Sequence, residues 1–466
     1  MGIFLLACAL LVLGYFTYGV LVEKIFGIKE NHKTPAILFA DGVDYVPLSP
    51  WRVFLVQFLN IAGLGPVFGA ILGALYGPVC LFWIVLGSIF AGGVHDYLSG
   101  MLSVKYNGKT LSYFVDIFMG RKFGLLFLIL LVLLLLLVGS IFAQTPAHML
   151  ADATNMKFVT WLMIIFAYYF LATLLPIDKI VGRFYPLFAL CLLLSTVLLL
   201  IALFMGGNDF YPDLHTLNQH PKSLPIFPLM FITIACGALS GFHATQSPMM
   251  SRCLTNEKYG RPIFYGAMIL EGFVALVWAT LGIAFYKGTG GLLEALGETG
   301  NPGKVISELS FGFLGRPGQI LAVTSIILLA ITSGDTALRS ARLSCADFFN
   351  LDQKNIVKRL ILSALILACA TAMSFVNLYK IWIYFGWVNQ ILATIMLWIG
   401  AAYLRHKHHN YLIALLPAIF MTMVVGTYFG YSNILLGQSI GISRVIGAAF
   451  AITVTAYFFF TGRKKA

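Results

Sequence analysis

Four ionisable side chains interrupt stretches of the sequence that are otherwise apolar. His95 and Asp96 are neighbours in "AGGVHDYLSG", His243 follows "ALSGF", and Glu271 lies within "GAMILEGFVAL". Ionisable groups inside membrane helices are rare, and they commonly mark ion or proton pathways. We therefore predict that His95, Asp96 and Glu271 serve a coupling ion and that His243 lines a cavity. A fixed pairing with a basic side chain or a backbone amide is the structural alternative.

A second polar group lies in "LLAITSGDTALRSARLSC", where Thr332 and Ser333 offer hydroxyl oxygens and Asp335 adds a charge. Small hard cations favour clustered oxygen ligands. We predict an ion-coupling role for all three, and a sodium site in which the two hydroxyls face carbonyls near Ala62 and Gly65. The alternative is that the hydroxyls bond back to their own helix. Sodium and protons both stay open as the coupling ion, and no other cofactor is expected.

Two stretches place helix breakers inside segments long enough to cross a membrane. They are "NIAGLGPVFGAILGAL" and "ACGALSGFHATQSPMM". Non-helical backbone survives at membrane depth only where protein buries it or where it lines a cavity. Amides exposed at such a break attract anions, whereas the freed carbonyls attract cations. The candidate substrate-binding residues are therefore those of the two breaks: Gly63, Leu64, Gly65, Pro66, Ser240, Gly241, Phe242 and His243.

Enzyme chemistry is not indicated by any motif. There is no HExxH zinc pattern, and "SGFHATQS" does not have the spacing of a nucleophile elbow. The seven cysteines are scattered through apolar stretches without CxxC spacing. We expect neither a catalytic site nor a structural metal, and therefore no enzyme.

The composition shows which elements must position these residues. The chain is 60% hydrophobic and 10% charged with a mean hydropathy of +0.90, whereas soluble domains are about a quarter charged. This predicts an all-α polytopic membrane protein with about thirteen transmembrane helices. The expected spans are 2–22, 53–77, 79–103, 123–145, 157–176, 184–205, 225–250, 262–286, 316–338, 358–376, 380–404, 410–428 and 444–462.

The two interrupted spans occupy matching positions in two halves of the chain, and each is followed by four further spans. This pattern is typical of a transporter built from two inverted five-helix repeats. We place the repeats at 53–205 and 225–404, with an extra N-terminal helix at 1–22 and two C-terminal helices at 410–462.

The basic residues are distributed unevenly between the predicted loops. If the N-terminus is outside and the C-terminus inside, the inner segments hold 23 of the 30 Lys and Arg residues. Loops rich in Lys and Arg tend to stay in the cytoplasm, so the net charge of +12 is explained by topology. The partner is then a lipid bilayer, and no domain or basic groove suggests nucleic acid.

Four ordered motifs together resemble the carbon starvation protein A (CstA) family over roughly residues 30 to 405. They are "IAGLGPVFGAILG", "AGGVHDYLSGMLSVKYNGKTL", "CGALSGFHATQSPMMSRCLTNE" and "TSGDTALRSARLSCADFF". The resemblance implies a bacterial or archaeal inner-membrane transporter with a LeuT-like 5+5 inverted repeat, related to the amino acid/polyamine/organocation superfamily. It also implies uptake of peptides during carbon starvation, or proton-coupled uptake of pyruvate.

Two features set this chain apart within the family that it resembles. It has two helices after the core where larger members have several more, so we expect a short member. His95 stands where larger members have Gln.

Our leading hypothesis is a secondary active importer of a small carboxylate-bearing nutrient, a short peptide or pyruvate, that works by alternating access. The alternatives are a carrier of amino acids or cations, a membrane sensor that binds a nutrient without moving it, and a channel. The sequence does not indicate substrate identity within these classes or an oligomeric state.

Overall fold

The structure is a computed structural model that describes residues 1–29, 31–174, 181–207, 209–211, 218–297, 302–353, 355–376 and 378–461. Its described residues form helices joined by turns and loops, with no strand among them. They include ten helices long and apolar enough to cross a membrane, or eleven if one bent pair is counted as a span. The protein is therefore an all-helical, multi-pass membrane protein. The exact count of thirteen, the repeat boundaries and the orientation of the termini stay predictions.

The N-terminal span is longer than expected. Helices α1 (Gly2–Phe16) and α2 (Tyr18–Phe26) together form an apolar span, Gly2–Phe26. It ends at Gly27, whose φ of 76° lies in the region that glycine adopts without strain. A short helix, α3 (Pro35–Leu38), lies between this span and the next.

The first interrupted segment is broken where the sequence predicted. Helix α4 (Pro50–Ala62) stops at Gly63, which has a φ of 42°. The chain resumes as a π-helical turn (Gly65–Gly69), helix α5 (Ala70–Gly73) and a 3-10 turn (Ala74–Tyr76). The two halves are bent by 52°. Glycine at the break and proline just after it explain why the helix cannot continue straight.

The helices after the first break are mostly long. They are α6 (Val79–Leu86), which continues through a π-helical turn (Gly87–Gly92) into α7 (Gly93–Lys105), and then α8 (Leu111–Met119), α9 (Arg121–Ala153), α10 (Phe158–Leu174) and α11 (Val181–Met205).

The second interrupted segment has a wider gap than the first. Helix α12 (Ile226–Thr233) and helix α13 (His243–Ser251) are separated by nonhelical backbone at 234–242. The sequence placed the break at Ser240–His243, and the structure extends it back to Ile234. His243 is therefore the first residue of the second half-helix.

The remaining elements complete the bundle. They are a 3-10 turn (Glu257–Tyr259), a π-helical turn (Arg261–Tyr265), α14 (Gly266–Phe285), α15 (Thr289–Leu296), α16 (Pro302–Phe349, bent at Gly315), α17 (Ile356–Met373), α18 (Leu378–His406), α19 (Leu412–Tyr431) and α20 (Ile440–Thr461). The predicted end of the last span, residue 462, and the inner tail lie outside the described residues.

Apolar side chains cover much of the outside of the bundle, while polar side chains are buried inside it. Large exposed residues include Leu133, Ile201, Ile361 and Ile452. Asp96, Glu271 and Arg339, by contrast, are fully buried. This arrangement suits a lipid environment, because the bilayer solvates apolar side chains and leaves polar groups to be paired inside the protein.

Candidate functional site

The two breaks lie against each other in the centre of the bundle. A Cβ atom on Gly65 would overlap the Cβ of Cys236, and one on Gly69 would lie 2.9 Å from the Thr233 carbonyl oxygen. Real Cβ atoms do not approach so closely, so only glycine permits this contact. The glycines of the first segment therefore bring the two nonhelical stretches together.

The second break is held by α18 through Asn389 and Gln390. Asn389 Oδ1 accepts hydrogen bonds from Ser240 Oγ at 3.1 Å and from the Phe242 amide at 2.8 Å. Gln390 Nε2 donates to the Leu239 carbonyl at 2.9 Å. These side chains satisfy backbone groups that have lost their helical partners. The Phe242 amide, one of those predicted to receive a substrate carboxylate, thus already has a protein partner.

Four buried ionisable side chains meet beside this second break. Asp96 Oδ1 lies 2.7 Å from His95 Nδ1, and Asp96 Oδ2 lies 2.9 Å from His243 Nδ1. The other ring nitrogen of His243, Nε2, lies 3.4 Å from Glu271 Oε2. All four side chains are fully buried. Helices α7, α13 and α14 thus bring together residues that the sequence could only propose one by one.

The geometry of His243 restricts where a proton resides. Its Nδ1 faces a carboxylate of Asp96, so a hydrogen on Nδ1 makes the favourable bond. Nε2 and Glu271 Oε2 lie 3.4 Å apart, close enough for an ion pair though not hydrogen-bonded, so one proton on this pair gives either imidazolium with carboxylate or neutral imidazole with carboxylic acid. Loss of that proton leaves a bare nitrogen facing a buried carboxylate, which is unfavourable. The arrangement can therefore hold and release a single proton.

The hydroxyl groups of α16 have different partners from one another. Ser333 Oγ donates to the Leu59 carbonyl at 3.3 Å, across to the first broken helix. Thr332 Oγ1 instead bonds back to the Leu328 carbonyl at 2.8 Å. Asp335 Oδ2 accepts a 2.6 Å hydrogen bond from the Tyr185 hydroxyl and does not join the His243 group.

A second group of charged side chains joins the loop before α4 to the C-terminal ends of α13 and α16. Asp44 lies 3.1 Å from Arg342 Nη2 and 3.8 Å from Arg339 Nη1. Arg252 Nη2 pairs with Asp347 Oδ2 at 2.9 Å, and its guanidinium lies over the ring of Tyr45. The orientation predicted from the sequence would put this end of the bundle on the inside. We refer to these six residues as the inner charge network.

Asp44 is ionised within this network. Burial by itself would raise the pKa of Asp44, but the guanidinium groups of Arg342, Arg339 and Arg252 outweigh burial and lower that pKa below its usual value. The Asp44 carboxylate therefore stays negative at neutral pH and fixes the two arginines of α16.

The comparison with protein families identifies the chain. The family model described as carbon starvation protein CstA matches residues 1–160, 145–288 and 303–427. The chain belongs to the CstA family. This confirms the family resemblance read from the four motifs.

Curated relatives extend this CstA-family assignment. A Haemophilus influenzae protein described as an uncharacterized membrane protein is 44% identical over 346 residues, which cover 63% of this chain and 93% of that protein. The peptide transporter CstA of Bacillus subtilis is 26% identical over 91% of this chain and 88% of its own length. The pyruvate/proton symporter BtsT of Escherichia coli is 28% identical over 55% of this chain. The match covers only 45% of BtsT, so the chain spans less than half of that relative.

Solved structures show the same fold at low sequence identity. A point mutant of the manganese transporter of Eremococcus coleocola aligns with a TM-score of 0.55 over 89% of this chain and 95% of its own, at 13% identity. A second point mutant of that transporter aligns with a TM-score of 0.54 over the same shares of both chains. The B. subtilis and E. coli relatives, which are named for an activity, are both transporters. This supports a transporter, and not an enzyme, for this CstA-family chain.

The structure places the predicted site residues in three groups. Gly63 and Leu64 form the first break, Gly65 and Pro66 begin the π-helical turn that follows it, and Ser240, Gly241 and Phe242 belong to the second break. The other two groups are the buried cluster (His95, Asp96, His243 and Glu271) and three polar residues of α16 that have different partners (Thr332, Ser333 and Asp335). Among the described residues, no group of three or more His, Cys, Asp or Glu side chains is arranged to hold a metal ion. Their functional roles stay predictions.

Sequence reasoning missed several residues of the candidate site. Asn389 and Gln390 are buried polar neighbours within a long apolar segment, "IYFGWVNQILATIM", and that position was the available signal. Asp44 lies in a loop, where an acidic residue carries no such signal. Asn60, one turn before the first break, is fully buried, and neither polar atom of its amide has a hydrogen-bond partner.

Proposed function

We propose that this protein is a secondary active transporter of the cytoplasmic membrane. It imports a small carboxylate-bearing nutrient, a short peptide or pyruvate, by alternating access, in coupling to protons and in the response to carbon starvation. The observation that carries the proposal is the position of His243: it begins the half-helix after the second break and bridges the buried carboxylates of Asp96 and Glu271. The names of the B. subtilis and E. coli relatives support the substrate classes.

Coupling follows from the link between His243 and the break. A change in protonation at Nε2 or Glu271 alters the charge beside the nonhelical backbone at 234–242. Because both groups are buried, that change is not screened by solvent. The cluster then favours one arrangement of the half-helix when the shared proton is bound and another when it is released, which is the two-state behaviour that alternating access needs.

The contacts of the predicted ion-coupling residues fit a coupling proton better than a coupling sodium ion. A sodium site at Ala62, Gly65, Thr332 and Ser333 needs both hydroxyls to face the first break. Only Ser333 reaches across to α4, since Thr332 is bonded to its own helix. Filling the site would require Thr332 to rotate, whereas His243 already lies between the carboxylates of Asp96 and Glu271.

The substrate carboxylate is proposed to bind at the first break. Amides at Gly63–Gly65 lie at the start of a half-helix, where the backbone dipoles favour an anion. At the second break the Phe242 amide is taken by Asn389, and the His243 amide donates to the Ser240 carbonyl at 3.2 Å. Asn60, with its unpartnered amide, lies one turn before the first break and is the side chain proposed to orient the carboxylate.

Alternating access requires the two faces to close in turn. We propose a LeuT-like 5+5 inverted repeat over 53–205 and 225–404, within thirteen spans, with the N-terminus outside and the C-terminus inside. On this topology the inner charge network closes the cytoplasmic side. It must open for release, because Asp44 joins the segment before α4 to α16.

Uptake into liposomes by the purified chain tests the function. Labelled pyruvate and labelled dialanine are compared under an imposed proton gradient or an imposed sodium gradient. We expect accumulation of one substrate under the proton gradient. Glu271→Gln should abolish accumulation yet retain exchange of substrate across the membrane, because it removes the proton and not the substrate site. Asp116→Asn, which changes a partly exposed carboxylate paired with the exposed Arg121, is the matched control.

The outcome separates the candidate functions. Accumulation driven by sodium alone would replace the proton mechanism by the sodium one. Flux without accumulation under any gradient would indicate a channel. If neither substrate moves while a control transporter in the same lipid works, the proposal is wrong and a sensor becomes the better explanation.

A further inference from the structure

A cavity of about 670 Å³ lies away from the breaks, between the end of α9 and the first part of α16. Thr145, His148 and Asp152 of α9 line one wall, and Lys304, Arg316 and Thr324 of α16 line the other. The cavity is thus at the end of the bundle opposite to the inner charge network, which the proposed topology places outside. Neither the family description nor the relatives' names assign a site here.

The cavity carries opposite charges on its two walls. Asp152 lies on the α9 wall, where the ring of His148 is held in a stack with Phe158 at a centroid distance of 4.1 Å. Lys304, Glu308 and Arg316 lie on the α16 wall, where Glu308 pairs with Lys304 at 3.6 Å and accepts a 2.7 Å hydrogen bond from the Tyr286 hydroxyl. Arg316 leaves that wall with a net positive charge, so a ligand that spans the cavity meets an anionic group at one end and an excess of positive charge at the other.

The cationic side chains of the α16 wall can still bind the carboxylate of a ligand, because their present partners do not neutralise them strongly. Arg316 Nη1 donates to the neutral amide oxygen of Gln319 at 2.8 Å, and Gln319 is in turn fixed by a 2.7 Å bond to Ser307 Oγ. This chain of bonds orients the guanidinium without neutralising its charge. Lys304 lies 3.6 Å from Glu308, in an exposed pair that contributes little and exchanges readily.

We propose that this cavity is a second, outer binding site for a zwitterionic short peptide. Arg316 and Lys304 bind its carboxylate, and Asp152 binds its ammonium group. The proposal rests on the proposed import function and identifies its substrate as a peptide. The volume is in the range of pockets that hold multi-group ligands, which is far more space than a three-carbon acid fills.

Helix α9 connects this site to the first break. Thr145, in the cavity wall, lies one helical turn from Phe142. The ring of Phe142 would be 3.1 Å from a Cβ on Gly63, and it packs edge-on against Phe242 with centroids 6.1 Å apart. The Phe142–Phe242 pair therefore covers the first break. A peptide bound in the outer site therefore lies one helical turn of α9 from the Phe142–Phe242 pair.

Transport kinetics in liposomes provide the first test. Arg316→Gln should raise KM for dialanine about threefold to fivefold with kcat unchanged, because an exposed charge pair contributes up to about 1 kcal/mol of binding. Asp152→Asn should raise KM for dialanine but leave any pyruvate uptake unchanged, since pyruvate has no ammonium group. Lys157→Gln, an exposed cation between α9 and α10, is the matched control. An unchanged KM in both cavity variants would overturn the proposal while leaving the transport function intact.

A binding measurement that needs no transport provides the second test. Thr324→Cys places a thiol in the cavity wall, and a membrane-impermeant maleimide added from outside should label it above the wild-type background. Dialanine should slow that labelling, whereas N-acetyl-dialanine amide, which lacks both charges, should not. Protection in a chain that also carries Glu271→Gln and does not accumulate substrate would support the site independently of import. Equal labelling rates with and without dialanine would contradict it.

Discussion

His243 Nδ1 lies 2.9 Å from Asp96 Oδ2, a contact between α13 and α7 that joins residues 147 positions apart. The contact fixes the first residue after the second break to a helix that is itself unbroken. Because His95 binds the other oxygen of the same carboxylate, Asp96 orients both imidazole rings, and the Nε2 atom of His243 lies 3.4 Å from Glu271 Oε2.

Replacement of Asp96 by Asn should both destabilise the protein and stop accumulation. Breaking a buried charge pair from one side costs about 3–5 kcal/mol, because the remaining group is left without its partner. The thermal unfolding temperature in detergent and uptake in liposomes would measure the two effects. Asp116→Asn, at an exposed pair, should change stability by less than about 1 kcal/mol. Equal unfolding temperatures for the two variants would contradict a structural role for the Asp96 carboxylate.

Gly65→Ala should separate the two breaks. Its new methyl group would have to occupy space that the Cβ of Cys236 already fills, and overpacking of this kind costs about 1–3 kcal/mol. We expect loss of uptake and a lower unfolding temperature. Adding Cys236→Gly makes room for the methyl group and should restore part of both.

Gly290→Ala is the control for that variant, because nothing lies within 4 Å of a Cβ at Gly290. If Gly65→Ala behaves like Gly290→Ala, Gly65 does not pack closely against Cys236.

Asn389→Ala, a change on α18, should disrupt the hydrogen bonds that hold the second break. It removes the oxygen that accepts bonds from Ser240 Oγ and the Phe242 amide, and a buried group left unsatisfied costs about 1–3 kcal/mol. Uptake should fall and hydrogen exchange at the Phe242 amide should become faster. Asn410→Ala, at an exposed residue that caps the Leu412 amide, should change neither. Unchanged exchange at Phe242 would show that Asn389 does not hold the break.

The inner charge network should resist mild acid. The pKa of Asp44 is lower in the folded protein than its usual value, so its pairing stabilises the fold fully above the unfolded value of about 3.9. That contribution is lost as the pH falls through the lower folded value. Between pH 7 and pH 5, Asp44 should therefore keep the inner side closed.

Asp44→Asn should open the inner side at every pH in that interval. A thiol introduced by Ser340→Cys on α16, a buried position, would report the opening through faster labelling from the cytoplasmic face of inverted vesicles. Labelling that speeds up between pH 7 and pH 5 in the chain with Asp44 intact would show that another group controls this closure.

The sequence by itself determined the family, the membrane-spanning character and the position of the first break. These depend on local rules: glycine and proline at Gly63–Pro66 end a helix wherever it lies, and ionisable groups such as Asp96 and Glu271 stand out in apolar segments. The same rules could not show that the second break begins at Ile234, because its length depends on Asn389 and Gln390, which bind it from α18.

Only the tertiary structure decided which polar groups work together. His95, Asp96, His243 and Glu271 come from three helices, and only the packing of these helices brings the four side chains together. Glycine permits part of that packing: a Cβ on Gly92, just before α7, would overlap the Ala238 carbonyl oxygen of the second break. Ser333 and Thr332 are neighbours with similar hydroxyls, yet one faces α4 and the other its own helix. A helix rotates successive side chains by about 100°, so a neighbour in sequence faces a different environment.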